Sequence, residues 1–526
     1  MKCFIICIGG TGQRVGRSMV HMLAADCMSE NSAFKANKVT ELRIMIAEQD
    51  DTCMDGVRYN ETVNSYNDLA NHGNTIFGYN LPITKYRQKP LLGNNISMGA
   101  EIQYDVMQKE AKDVYDFLYS DYEKGAILNQ GFYGHTAIGS YYFYNSIVCK
   151  DNGEIIFMGN ENDDESWMAF FNGINTTTDK VLIIGSIYGG TGASEIPTVA
   201  KAIRDVPRTS DVRLGIVIVQ PYINPIANDN YTSDLGNKHI PQTRIALDYF
   251  RNQDFGRYAS DIYVIGDYKE FMMMVEGAVG GEEQKNKANV IELYAASALV
   301  DLISTKRPEQ DHNIKINWLN DNDNGDSRLV DNRYIDQVGS GGSFNISQKL
   351  ASFFCFSIMV TKFFFHRINR KKEKKGVQGA VYFENFSYEN VNETHLLEYV
   401  NAYCKSYSEW FRELHIDTDE HGVFNLTDPA FYKFNKNNSR IDWIDISAHN
   451  IYLLDESKLN DNDNDGKLLK DYFDKANPKF ANINKFNISN KSARDIWVKM
   501  CNLSKYRKNG PGTTKDFFDE LYKQIL

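Results

Sequence analysis

Residues 181–204 read VLIIGSIYGGTGASEIPTVAKAIR, and this stretch decides the fold. The aliphatic run from Val181 to Gly185 predicts a buried strand, Gly189, Gly190, Thr191 and Gly192 a turn, and the remainder a helix with Ser194 in its opening turns. Strand, glycine turn and helix in that order make a phosphate cradle. Glycine lets the backbone approach an anion closely, Thr191 and Ser194 supply hydroxyls, and the helix N-terminus points unpaired N–H groups and the positive dipole end at the charge. The chain opens on a second such unit: Phe4 to Ile8 predict a strand, and Gly9, Gly10, Thr11 and Gly12 lead through Gln13 into a helix reaching Met22. Two cradles predict one polyphosphate gripped from both sides.

Outward from these loops, the first half alternates strand and helix signals as a parallel α/β sheet does. Strands are predicted over 2–8, 42–47, 181–185, 213–220 and 261–265, several of them continuous apolar runs suited to burial on both faces. Helices are predicted over 13–23, 99–118, 194–203, 242–251 and 285–304. In the last, Val290, Leu293, Tyr294, Ser297, Ala298, Asp301 and Leu302 recur at helical spacing and give one broad buried face. The organisation expected is a nucleotide-binding domain over 1–283, a central helix over 284–305, a polar connection over 306–343 that includes GSGGS, and a carboxy-terminal domain over 344–526. That last region, helical or α+β, contains a core-forming helix over 396–414 and no nameable chemistry.

At 526 residues and 42% hydrophobic content the chain can bury a large core in two or three domains. A net charge of −11 disfavours general binding to nucleic acid. Met1 to Gly10 lacks the basic and apolar regions of a signal peptide. The eight cysteines show no repeated CxxC and read as reduced, buried thiols, so the expected location is the cytoplasm. The longest uncharged apolar run, 350–361, is about half of what a bilayer span needs, so no membrane span is expected.

Neither loop continues to Lys followed by Ser or Thr, so neither is a Walker-type P-loop. Backbone amides must do most of the gripping. GGTGQRVG followed by the acids Glu48, Asp50 and Asp51 also fits a dinucleotide-binding unit, and hence an NAD-dependent oxidoreductase. Glu48, however, stands 36 residues after Gly12, later than the usual spacing of about 20, and a hydride-transfer site has no need of the second loop.

Three segments, in order, resemble the tubulin and FtsZ superfamily of GTP-binding, filament-forming proteins. YGGTGAS (188–194) is similar to the GGGTG(S/T)G signature that contacts the phosphates, with Tyr188 and Ser194 in place of the outer glycines. GQRVG (12–16) resembles the tubulin segment GNQIG, and GNNISMG (93–99) the loop GNNWAKG near the γ-phosphate, which would bring Asn94, Asn95 and Gly99 to the nucleotide. The resemblance covers roughly residues 1–305. It implies a tubulin/FtsZ-like, Rossmann-type α/β domain binding GTP or GDP with Mg²⁺. The acid at the tip of the second strand would be Glu48 or Asp50, and the base-recognising Asn at the start of the central helix would be Asn289.

An insertion near 125–179 points to a divergent branch resembling bacterial tubulin-like proteins. The family's hydrolytic acid, inserted from a neighbouring subunit, has no match here: NDNDNGD (320–326) has suitable residues in a loop, and FNISQKL (344–350) carries no acid. GTP binding is therefore expected ahead of hydrolysis. The function implied is head-to-tail self-assembly into filaments with nucleotide at the interface. The alternative is a nucleotide-gated interaction module, as in a bacterial stress or antiphage system, that binds GTP with little hydrolysis and presents its carboxy-terminal region to a protein partner.

Overall fold

The computed structural model describes residues 1–25, 27, 39–50, 52–71, 81–88, 109–121, 124, 136–226, 239–252, 255–266, 272–276, 281–283, 286–304, 313–318, 350, 353–354, 356–357, 360–361, 391–414, 430–435, 440–445 and 513–525. Asn94, Asn95, Gly99 and the 320–326 loop lie outside the described residues.

The strands within residues 1–318 are β1 (Lys2–Ile8), β2 (Glu41–Ala47), β3 (Ile83–Arg87), the hairpin β4 (Val148–Asp151) and β5 (Glu154–Phe157), β6 (Lys180–Ser186), β7 (Arg213–Val219), β8 (Ile223–Ile226), β9 (Asp261–Gly266), β10 (Met273–Glu276) and β11 (Asn313–Trp318). Seven of them form one sheet in the order β11-β9-β7-β6-β1-β2-β3, and every pairing in it is parallel. The helices used below are α1 (Gly9–Ala24), α2 (Met54–Asn71), α3 (Lys109–Leu118), α4 (Thr136–Ile147), α5 (Gly190–Asp205), α6 (His239–Asn252), α7 (Val290–Ser304), α8 (Val391–Glu413) and α9 (Thr514–Ile525).

Alternation along the strands sorts the core into two layers. Cys3, Ile5 and Cys7 of β1 join α1, α2, α7, α8 and α9 on one face; Phe4, Ile6 and Ile8 join α4, α5 and α6 on the other. This is a doubly wound, Rossmann-type α/β fold. Helices following β1 and β2 cover the first face and those following β6 and β7 the second, so the chain reverses its winding between β1 and β6. Outside the carboxyl ends of strands at such a switch point is where open α/β sheets bind ligands.

The five strands expected from sequence are present, each within a residue or so of its bounds. β11 lies within the stretch read as a polar connection and adds the seventh strand to the sheet edge. The central helix begins at Val290 rather than 285, because Asn289 caps it: the Asn289 side-chain oxygen accepts the Ile291 N–H at 2.9 Å. It is also buried on nearly all sides, packed between α1 and the strands β6, β7 and β9. Among the described residues, no helix is long and apolar enough to cross a membrane.

The second glycine turn is fixed by a close approach. A Cβ on Gly192 would stand 1.9 Å from the carbonyl oxygen of Ser186, whereas one on Gly189 meets nothing nearer than Ser186 Oγ at 3.9 Å. Gly192→Ala is therefore expected to lower unfolding free energy by about 3 kcal/mol, while Gly189→Ala stays within about 0.5 kcal/mol of the parent in urea denaturation. Equal losses would show that the turn is not built on this contact.

Candidate functional site

Both glycine loops stand at the carboxyl ends of the two strands flanking the switch point. β1 runs directly into α1 through Gly9, whose φ of +69° is left-handed and suits glycine, and β6 runs through Gly189, the residue before α5. The loops meet. A Cβ on Gly9 would lie 3.7 Å from Thr191 Cβ and 3.7 Å from Glu48 Oε2, and the Thr11 hydroxyl is 3.3 Å from that of Tyr188. Two helix N-termini thus converge on one patch of backbone amides, so their dipoles add at an anion placed there.

Of the residues expected to touch a ligand, Gly9, Gly10, Thr11, Gly12, Gln13, Gly189, Gly190, Thr191 and Gly192 are brought to this patch or its margin by β1, β6 and their helices. Glu48 flanks it from the end of β2. Its Oε1 accepts the backbone N–H groups of Gln49 (2.8 Å) and Asp50 (3.2 Å), and burial pushes its carboxyl up to about 7. Asp50 is buried and braces the surrounding chain: Oδ1 accepts from the Thr52 N–H and hydroxyl, and Oδ2 from the Gly281 N–H at 2.6 Å. The Ser194 hydroxyl is turned into its own helix, donating to the Gly190 carbonyl at 2.5 Å, a local i to i−4 bond that competes with contact to a ligand. Asn289 lies further off, buried at the α7 cap. On the β2–β3 side a cavity of about 260 Å³ is lined by Gln13, Asp50, Tyr59, Lys85 and Arg87.

The residue that organises the floor of the site is Arg14, which sequence reading passed over. Its guanidinium is buried. Nη1 pairs with Asp55 Oδ2, Nε donates to Glu292 Oε1 at 2.7 Å, and Nη2 donates to the Tyr222 hydroxyl at 2.8 Å and to Thr11 Oγ1 at 3.1 Å. The Tyr222 hydroxyl donates in turn to Glu292 Oε1 at 2.5 Å, and Glu292 Oε2 accepts the Asn289 N–H at 3.0 Å. Burial alone would lower the Arg14 pKa, but the two carboxylates more than reverse this and keep it charged. The available signal was Glu292, an acid inside the otherwise apolar run VIELYAASALV, which requires a buried cation to face it. Glu195, one turn beyond Thr191, is fully buried, and neither carboxyl oxygen has a hydrogen-bond partner among the described residues. Burial, reinforced by the charge of Glu48, raises its pKa well above the usual range.

No protein-family model matches the chain, and no curated protein matches it. Among solved structures it is similar to CetZ2 from Haloferax volcanii, determined as a GTPgS-bound protofilament, with 13% identity over 58% of this chain and a TM-score of 0.28. The match spans 59% of that chain, about three-fifths of its length. A superposition this loose leaves the reading of the site to the chain's own topology and residues.

Removing Arg14 strands two buried acids. Arg14→Met is expected to cost about 3–5 kcal/mol in denaturant unfolding, and a loss below about 1 kcal/mol would show that the acids are neutral without it.

Glu48 gives a pH signature. The folded state retains its proton up to about pH 7, whereas the unfolded carboxyl releases it near 4.5, so its contribution to stability is present at low pH and is lost as pH rises through that window. His21, whose pKa burial lowers, works in the opposite sense below 6.5. The parent should therefore gain stability relative to Glu48→Gln as pH falls from 7.5 to 5 in nucleotide-free thermal unfolding. A difference that does not vary with pH contradicts this.

Proposed function

We propose that this chain is a tubulin-like nucleotide-binding protein that grips the phosphates of GTP or GDP between its two glycine loops and assembles head-to-tail with copies of itself. The observation that carries the reading is the meeting of Gly9 and Thr191 at the switch point between β1 and β6, which aims two helix N-termini at one place. A single mononucleotide-binding unit would leave one of those N-termini without a ligand.

The chemistry of the cradle suits a polyphosphate. The charge would be met by backbone amides of residues 9–13 and 189–192 and by the Thr191 hydroxyl, while the open space above Gly189 leaves room for phosphate oxygens. Mg²⁺ fits as a hard cation that takes most of its oxygens from phosphate and water, with the Glu48 carboxyl on its flank. When bound it would neutralise phosphate charge that the acidic chain would otherwise repel. The base would lie toward Asn289. The resemblance in the 93–99 loop adds Asn94, Asn95 and Gly99 at the γ-phosphate.

Self-association has support on the surface. α6 exposes Ile240, Ile245, Leu247 and Tyr249, and Ile245 is 67% exposed. They fall in two pairs, Ile240 with Leu247 and Ile245 with Tyr249, on opposite flanks of the face buried by Ala246 and Phe250, and each pair offers an apolar edge to a second copy. A heterologous contact that does not close makes a filament. The interaction-module reading shares the same nucleotide site and is favoured by the seating of α8 against α1 and α2.

Nucleotide extracted from the purified protein should run as GTP or GDP, and added GTP should raise the melting temperature while NAD does not. GTP should also increase the pelletable fraction on high-speed sedimentation. A protein stabilised by NAD alone, or by no nucleotide, overturns the proposal. Stabilisation by GTP with no pelleting at any protein concentration leaves the interaction module.

A further inference from the structure

The residues before α7 are held by a side chain that comes from far along the chain. Glu413, the last residue of α8, places its carboxylate where three parts of the nucleotide-binding region meet. Oε2 accepts from Arg17 Nη1 of α1 at 2.9 Å and from the backbone N–H of Ala288 at 3.2 Å, while Oε1 lies 3.1 Å from Arg58 Nη1 of α2. The Arg58 guanidinium also donates to the Asn286 carbonyl at 3.1 Å. From the other side, the Asn286 amide donates to Asp55 Oδ2 at 3.3 Å, and Asp55 is the carboxylate paired with Arg14. The strap 286–289 is thus fixed between the carboxy-terminal helix and the charge cluster under the first glycine loop.

Other contacts of α8 hold it on the same surface. Trp410 Nε1 donates to Ser18 Oγ at 3.1 Å, the Tyr403 hydroxyl is 3.1 Å from His21 Nδ1, and Ser406 Oγ is 3.3 Å from Thr62 Oγ1. Aromatic packing of His21 against Trp410, with ring centroids 4.6 Å apart, adds apolar burial. Glu413 does something else: its hydrogen bond to Ala288 N–H ends one residue before Asn289, whose backbone N–H and side-chain oxygen set the start of α7.

We propose that Glu413 is a positioning residue of the nucleotide site, holding the 286–289 strap so that the carboxy-terminal region completes a site otherwise built from residues 1–304. This rests on the nucleotide reading above, with the base end toward Asn289. A partner that draws α8 away from α1 and α2 then releases the strap and weakens the grip on the base end, while the phosphate cradle keeps its geometry. Coupling runs equally in reverse: nucleotide bound at the strap stabilises the seating of α8.

The test compares GTP with inorganic tripolyphosphate, which has phosphates and no base, by calorimetry on the full chain. Glu413→Ala should weaken GTP about tenfold and leave tripolyphosphate within twofold. Glu413→Gln, which keeps an acceptor for the Ala288 N–H, should recover most of the GTP affinity. Arg58→Ala, which removes a partner of the same carboxylate at a partly exposed position, should reproduce the same split should Glu413→Ala not fold. Equal losses for both ligands, or none for either, overturn the proposal and leave the nucleotide reading standing. A parent protein that binds neither ligand overturns both.

Discussion

The Arg14 guanidinium is the interaction on which the rest of this structure depends. A cation taken out of water needs close countercharge and filled hydrogen-bond positions, and each of its partners comes from a different element: Asp55 from α2, Glu292 from α7, Tyr222 from the turn after β7, and Thr11 from the first glycine loop. Satisfying one side chain therefore fixes four pieces of backbone relative to one another. Two of them carry the site. Thr11 meets Tyr188 of the second glycine loop, and Glu292 binds the N–H of the α7 cap residue.

The sheet makes this convergence useful. Parallel strands send every loop of a given kind to the same edge, and the change of winding between β1 and β6 leaves a crevice that no crossover helix fills. The glycine loops rim that crevice, and their helices leave on opposite faces, so two dipoles reach one point without the helices colliding. Glu48 stands beside it with its carboxyl pushed up to about 7 by burial, and a bound cation would draw it back down.

Much of the framework could be read along the chain. Strands covered on both faces are unbroken apolar runs, and β1, β2, β6, β7 and β9 announced themselves in this way. Both glycine turns were legible because glycine is favoured at a left-handed φ such as that of position 9, and because no side chain fits a carbonyl 1.9 Å from a would-be Cβ at 192. β3, with the sequence ITKYR, gave no such signal, since its charged residues face partly to solvent at the sheet's edge. α2 was silent for a different reason. Its Asn, Asp and Gly content lowers helix propensity, and the packing of Tyr59, Val63 and Tyr66 against α1 and α8 overrides that preference.

The amino-acid sequence by itself determined a parallel α/β sheet, two phosphate-type turns in it, and an apolar central helix, because each of these is written in local periodicity and in the steric needs of single residues. Which residues share a site was decided only in three dimensions. Arg14 and Glu292 are 278 positions apart and Arg17 and Glu413 are 396 apart, and no local pattern links them. Buried charge must find its complement wherever the fold brings one, and that place is fixed by the packing of α1, α2, α7 and α8 on one face of the sheet.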